Sequence, residues 1–105
     1  MRHFEESMYT LIEETSTSLP GDVRRAIRRA QQMEDQGTRA ALALSTIAGN
    51  IGMAETNASP ICQDTGMPTF IVHCPVGANQ IEMKKMIRSA VVRATKDGKL
   101  RPNSV

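Results

Sequence analysis

Thr69-Phe70-Ile71-Val72-His73-Cys74, held between Pro68 and Pro75, is the stretch whose reading decides the fold class. β-branched and aromatic residues dominate it and a proline bounds each end, so it reads as one buried strand. The segments on either side read as helices and turns, about four helices in all, which makes the expected class α+β: a mainly helical fragment with a single strand. A lone strand leaves a row of backbone donors and acceptors unsatisfied. The missing sheet is expected from sequence beyond Val105 or from another chain, so residues 1–105 are expected to be part of a larger mixed α/β domain.

Working outward, the residues just before the strand are Pro60-Ile61-Cys62-Gln63-Asp64-Thr65-Gly66. A buried structural cysteine sits among apolar neighbours, whereas Cys62 is followed at once by an amide, a carboxylate, a hydroxyl and a glycine. That is a ligand set on a tight turn. Ahead of it, Thr38 is placed to cap a helix from Arg39 to about Asn57 that is apolar nearly all round, with Leu42, Leu44, Ile47, Ile51 and Met53. So few charges predict a helix at the centre of its domain, exposing apolar surface from Leu42 to Met53 wherever the rest of that domain is missing.

Two amphipathic helices lead in. Phe4, Met8, Leu11 and Ile12 recur at helical spacing in the first, which ends before Pro20. The second carries Val23, Ile27, Ala30 and Met33 on one face, with Asp22 as its cap and Gly37 as its stop. Beyond the strand, Asn79 and Glu82 have capping-box spacing and open a helix bearing Met83, Met86, Ile87, Ala90, Val91 and Ala94, which Asp97-Gly98 closes. Leu100-Arg101-Pro102-Asn103-Ser104-Val105 follows as a conformationally restricted segment.

Composition narrows the function classes. The chain has 105 residues, 13 Lys plus Arg against 11 Asp plus Glu, and 3% aromatics. It has neither the field nor the stacking surface of a dedicated nucleic-acid binder. No stretch is long and apolar enough for a membrane span, and Met1-Arg2-His3-Phe4-Glu5-Glu6 lacks the apolar core of a secretory signal, so the expected location is cytoplasmic. In that reducing setting Cys62 and Cys74 are expected as free or metal-bound thiols. One core of this size should bury roughly 65% of the unfolded surface.

The chemistry of Cys62 stays open between nucleophile, metal ligand and redox thiol. The histidines are His3, near the terminus, and His73, read as a satisfied strand residue. Cys62, His73 and Cys74 lack the paired spacing of a closed zinc site, while an iron–sulfur cluster needs further cysteines from elsewhere. Blander readings compete: Cys62 as a buried thiol, Asp64 as a turn former and Arg101 as a surface residue, while Arg24, Arg25, Arg28 and Arg29 read as a solvated face rather than a basic patch for nucleic acid or acidic lipid.

The cysteine turn followed by Leu100-Arg101-Pro102-Asn103-Ser104-Val105 resembles the class I, iron–sulfur fumarate hydratases and tartrate dehydratases, over roughly Thr38 to Val105. The resemblance implies that residues 1–105 are the N-terminal portion of an α-type hydro-lyase domain. It implies a 4Fe-4S cluster held by three cysteines, of which Cys62 is the first and two lie outside this chain. It also implies that Gln63, Asp64 and Arg101 bind a small dicarboxylic acid substrate, with Pro102 and Asn103 holding the arginine. The general base is expected outside this chain, and the partner is a β-type subunit or C-terminal domain in a dimer or heterotetramer, with neither nucleic acid nor membrane. Fumarate–malate interconversion is the favoured reaction; tartrate dehydration, or a non-catalytic helical interaction module, is the alternative.

Overall fold

The computed structural model describes residues 3–61 and 67–102. Four helices follow in order: α1 (Phe4–Thr17), α2 (Gly21–Met33), α3 (Arg39–Asn57) and α4 (Gln80–Lys96). Among the described residues there is no strand, so the α+β expectation is corrected to an all-helical arrangement. Residues 69–74 hold no regular secondary structure. Strand propensity expresses a fit to neighbouring strands, and here the segment finds a helix instead. Phe70, Val72 and Cys74 line an open groove against Met83, Lys84 and Ile87 of α4, with Phe70 and Cys74 half-buried and Val72, Ile71 and His73 exposed. His73 is therefore not the satisfied strand histidine expected from sequence.

The core forms where α1 lies along α4. Ile12, Ala90, Ala94 and Leu100 are buried together, with Met8, Tyr9, Phe70 and Val91 packed around them. Ala90 and Ala94 are fully inaccessible, and their small side chains sit directly under α1, where the two backbones come close. A polar clasp closes the solvent side of this seam. Tyr9 Oη donates to Asp97 at 2.6 Å, Arg93 pairs with Glu6 and stands 4.2 Å over the Tyr9 ring, and Ser89 donates to Glu5.

α3 begins as expected, with Thr38 Oγ1 accepting the Ala41 N–H. α4 does too, with Asn79 accepting the Glu82 N–H. α2 differs at both ends: Pro20 is its cap, Asp22 lies in its first turn, and the helix stops at Met33, before Gly37. Pro20 suits that place because its fixed φ leads into the helix and its missing N–H has no intrahelical partner to lose. Gly37, at φ +82°, instead turns the chain into α3.

Within the described residues α3 is largely uncovered. Only Ile51 and Ala54 of α3 are buried, while Leu42 is 70% and Met53 64% exposed. α2 buries no residue fully. The chain measures 57 × 28 × 20 Å and its radius of gyration is 17.1 Å, against roughly 13 Å for a compact domain of this length. Its accessible surface of 7862 Å² is about half that of the unfolded chain, short of the expected 65%. The exposed apolar stretch from Leu42 to Met53 is nonetheless where the sequence placed it. No described helix is long and apolar enough to cross a membrane.

The clasp carries a measurable pH signature. The hydrogen bond to Asp97, then burial, pushes the Tyr9 phenol from 10.0 up to about 12. Below pH 10 the phenol is neutral whether the chain is folded or not. Between pH 10 and 12 the unfolded chain releases the proton and the folded chain keeps it, so stability falls as pH rises through that window. Tyr9→Phe should cost about 1 kcal/mol at pH 7 and remove this alkaline decline. Denaturant titrations of both proteins at pH 7, 10 and 11.5 check it; equal slopes above pH 10 would refute the clasp.

Candidate functional site

Both sequence motifs are launched from helix ends of the same design. At the end of α3 the Ser59 N–H bonds Ala54 O at 3.0 Å and the Ala58 N–H bonds Glu55 O at 3.3 Å. At the end of α4 the Lys99 N–H bonds Ala94 O at 2.8 Å and the Gly98 N–H bonds Thr95 O at 3.1 Å. This paired pattern is the Schellman turn, which needs a left-handed residue just past the helix. Gly98 supplies it at φ +76°, but at α3 the residue is Ala58, at φ +50°. A side chain there costs about 1–2 kcal/mol.

The two turns are joined to each other. Lys99 Nζ donates to Ala58 O at 3.0 Å and lies 3.6 Å from the Glu13 carboxylate on α1. The chain then continues from Ala58 through Ser59 and Pro60 to Ile61, whose N–H donates to Ser16 O at 2.9 Å. The Asn50 side-chain amide donates to Ile61 O. Both backbone polar groups of Ile61 are thus engaged one residue before Cys62.

Of the residues singled out by sequence, Cys62, Gln63 and Asp64 lie outside the described residues, as does Asn103. Arg101 is described: it is exposed, and it follows Leu100, which is 7% exposed and belongs to the core. The buried leucine fixes the base from which the guanidinium projects. What the structure brings together is therefore the run into Cys62 and the run into Arg101, through Lys99 and Ala58. Cys74 is half-buried in the groove against α4, and neither Ile61 nor Arg101 lines that groove. Among the described residues no group of three or more His, Cys, Asp or Glu side chains could hold a metal ion.

Sequence reasoning missed Asn50, Lys99, Ser16 and Ala58. The placing of Asp97-Gly98 at a helix end was a usable signal for Lys99, since it fixes that residue in the Schellman turn. Ala58 carried no signal, because alanine is a poor left-handed residue. Arg24 was read as part of a solvated face, yet its guanidinium donates to Leu19 O and Ser18 Oγ and pairs with Glu55 in the last turn of α3. It ties the α1–α2 connection to the helix that launches the cysteine turn.

The chain matches the fumarate hydratase (Fumerase) family over residues 5–105. It is 64% identical over its whole length to a Geobacillus stearothermophilus protein assigned as a fumarate hydratase class I, of which it covers 20%. It is 34% identical over 98 residues to a Methanocaldococcus jannaschii protein assigned as an L(+)-tartrate dehydratase subunit alpha; the match takes in 90% of this chain and 34% of that protein. The chain thus spans about one fifth and one third of the lengths of these relatives.

The strained alanine gives a direct check on the geometry. Ala58→Gly should stabilise the chain by about 0.5–1 kcal/mol, the relieved left-handed strain outweighing the added entropy of the unfolded glycine. An unchanged or lowered urea midpoint would contradict the left-handed turn at Ala58.

Proposed function

The chain belongs to the fumarate hydratase (Fumerase) family, and on that premise we propose that it forms the N-terminal portion of the α-type catalytic region of a cytoplasmic iron–sulfur hydro-lyase that interconverts fumarate and malate. The observation that carries the reading is the junction of Lys99 with Ala58 O, which brings the approach to Cys62 beside the approach to Arg101. A ligand turn and a carboxylate clamp serve one site only if they meet, and the contact between Lys99 and Ala58 O supports that reading.

The donor chemistry fits one corner of a cluster. Cys62 offers a thiolate, the ligand that iron–sulfur clusters take, and it is flanked by polar groups suited to a substrate. The remaining two cysteine ligands belong outside this chain, in keeping with the share of the relatives that the chain spans. When bound, the cluster supplies a Lewis-acidic iron that stabilises hydroxide as a leaving group.

Each residue of this chain then has a task. Arg101 takes a substrate carboxylate in its planar fork of donors, which matches two oxygens at once where a lysine offers a point charge. Charge gathers on that carboxylate as the neighbouring carbon loses its proton, so a preorganised guanidinium stabilises the transition state more than the ground state. Gln63 and Asp64 orient the substrate hydroxyl and the second carboxylate. The general base and the rest of the clamp come from a β-type subunit or C-terminal domain, in a dimer or heterotetramer.

Tartrate is the second reading, favoured by the 34% identity to the tartrate dehydratase subunit alpha. The 64% match across the whole chain to a protein assigned as a fumarate hydratase class I supports fumarate as the first reading. A self-contained interaction module is disfavoured by the extended shape and the exposure of Leu42 and Met53.

Anaerobic iron and sulfide reconstitution of the complete protein, wild type beside Cys62→Ala, tests the ligand role. The wild type should take up iron and show a reduced-cluster paramagnetic signal; Cys62→Ala should lose the signal and at least a hundredfold in turnover. A normal cluster in Cys62→Ala would make Cys62 structural. Turnover of fumarate, mesaconate and tartrate by the wild type decides the substrate, and activity on tartrate equal to or above that on fumarate would overturn the fumarate assignment.

A further inference from the structure

The hydrogen bonds around residues 58–61 are not those of an ordinary surface loop. The two carbonyls that bracket Ser59-Pro60, Ala58 O and Ile61 O, are each held by a side chain from a different element: Lys99 Nζ past α4 and the Asn50 amide on α3. Lys99 is oriented in turn by Glu13 at 3.6 Å, and its own N–H closes the α4 turn on Ala94 O. A carbonyl at a loop surface can bond water instead, so the two side chains do more than satisfy an acceptor. What the two side chains add is a fixed place for Ala58 and Ile61, the residues that lead to Cys62.

We propose that Asn50 and Lys99 are positioning residues for the cluster and substrate site: Asn50 fixes the carbonyl of Ile61, the residue before Cys62, and Lys99 fixes Ala58, on the run into Cys62, beside the segment that carries Arg101. The proposal rests on the reading of Cys62 as a cluster ligand and of Arg101 as the carboxylate clamp. Both groups must be held close to their working geometry, since a misplacement of about 1 Å can cost on the order of a hundredfold in rate. Asn50 therefore governs chiefly the cluster. Lys99, which touches both runs, governs the cluster and the affinity for the dicarboxylate.

The test uses the complete protein, reconstituted anaerobically, with Asn50→Asp, Lys99→Met, Lys99→Arg and Cys62→Ala. Asn50→Asp replaces a donor by an acceptor facing Ile61 O; Lys99→Arg keeps both the donor and the charge. Expected in Asn50→Asp is at least a twofold loss of iron per chain and a broadened cluster signal. Its apoprotein should show at least tenfold faster hydrogen exchange at the Ile61 amide, with exchange in α4 unchanged. Expected in Lys99→Met is about a tenfold rise in KM for the dicarboxylate with a smaller change in kcat, and Lys99→Arg should restore it. Wild-type iron content, signal, exchange and KM in Asn50→Asp and Lys99→Met, beside cluster loss in Cys62→Ala, would overturn the proposal alone. Faster exchange throughout α1 and α4 would mark a structural role and overturn it as well. Retention of a normal cluster by Cys62→Ala would overturn the reading beneath it, and the proposal with it.

Discussion

The bond from Lys99 Nζ to Ala58 O is the constraint on which the arrangement depends. Positions 58 and 99 are far apart in sequence, and each lies just past a helix whose direction is set elsewhere. α4 is fixed by its seam with α1, through Ile12, Ala90 and Ala94, and Leu100 carries that seam beyond the helix end. α3 has few buried residues of its own, and its C-terminal turn is held from outside, by Arg24 on Glu55, Lys99 on Ala58 and Asn50 on Ile61. The rigid pair thus supplies a reference frame, and polar contacts attach the less supported helix to it. A charged donor on a backbone carbonyl suits this junction because it tolerates small changes of angle and remains stronger than a neutral bond.

This division leaves much apolar surface uncovered. Leu42, Ile47 and Met53 on α3 and Ile71, Val76 and Ile81 around the start of α4 are all exposed, several of them by more than two thirds. Residues of this kind dominate cores, and each contributes about 1.5–3 kcal/mol when fully buried. The four helices here gain most of their burial from α1 against α4, with the α2–α3 pair attached through the half-buried Ile27 and Ala48 and the buried Ile51. The fold is thereby adequate to present two motif runs, while its apolar faces remain available for packing.

Much of this was legible in the residues, and the exceptions have physical causes. The helix starts at Thr38 and Asn79 were readable because a capping side chain acts within one turn of itself, so the needed residues are adjacent in sequence. The α1–α4 core was readable in part: periodicity picked out Ile12, Ala90 and Ala94, but Leu11 sits on the same stripe and is 48% exposed. Periodicity identifies a face, and only the partner's width decides how much of it is covered. The strand at 69–74 failed because its propensity describes a pairing that needs a second strand, and Phe70, Val72 and Cys74 found α4 instead. At the site, the motif residues themselves stood out by their chemistry. Asn50 and Lys99 did not, because an amide and an ammonium at the end of a loop contact look like any surface pair until the fold brings them to the carbonyls they hold.

The central claim is that the cysteine turn and the Arg101 run serve one ligand. The most direct measurement is a malate titration of the reduced-cluster paramagnetic signal in the complete protein, wild type beside Arg101→Lys. Lysine keeps the charge but loses the planar fork, so the account predicts an unchanged signal without malate and a malate-induced shift that needs at least tenfold more ligand. An identical shift at identical malate concentration in both proteins would contradict it, placing Arg101 outside the site to which Cys62 belongs.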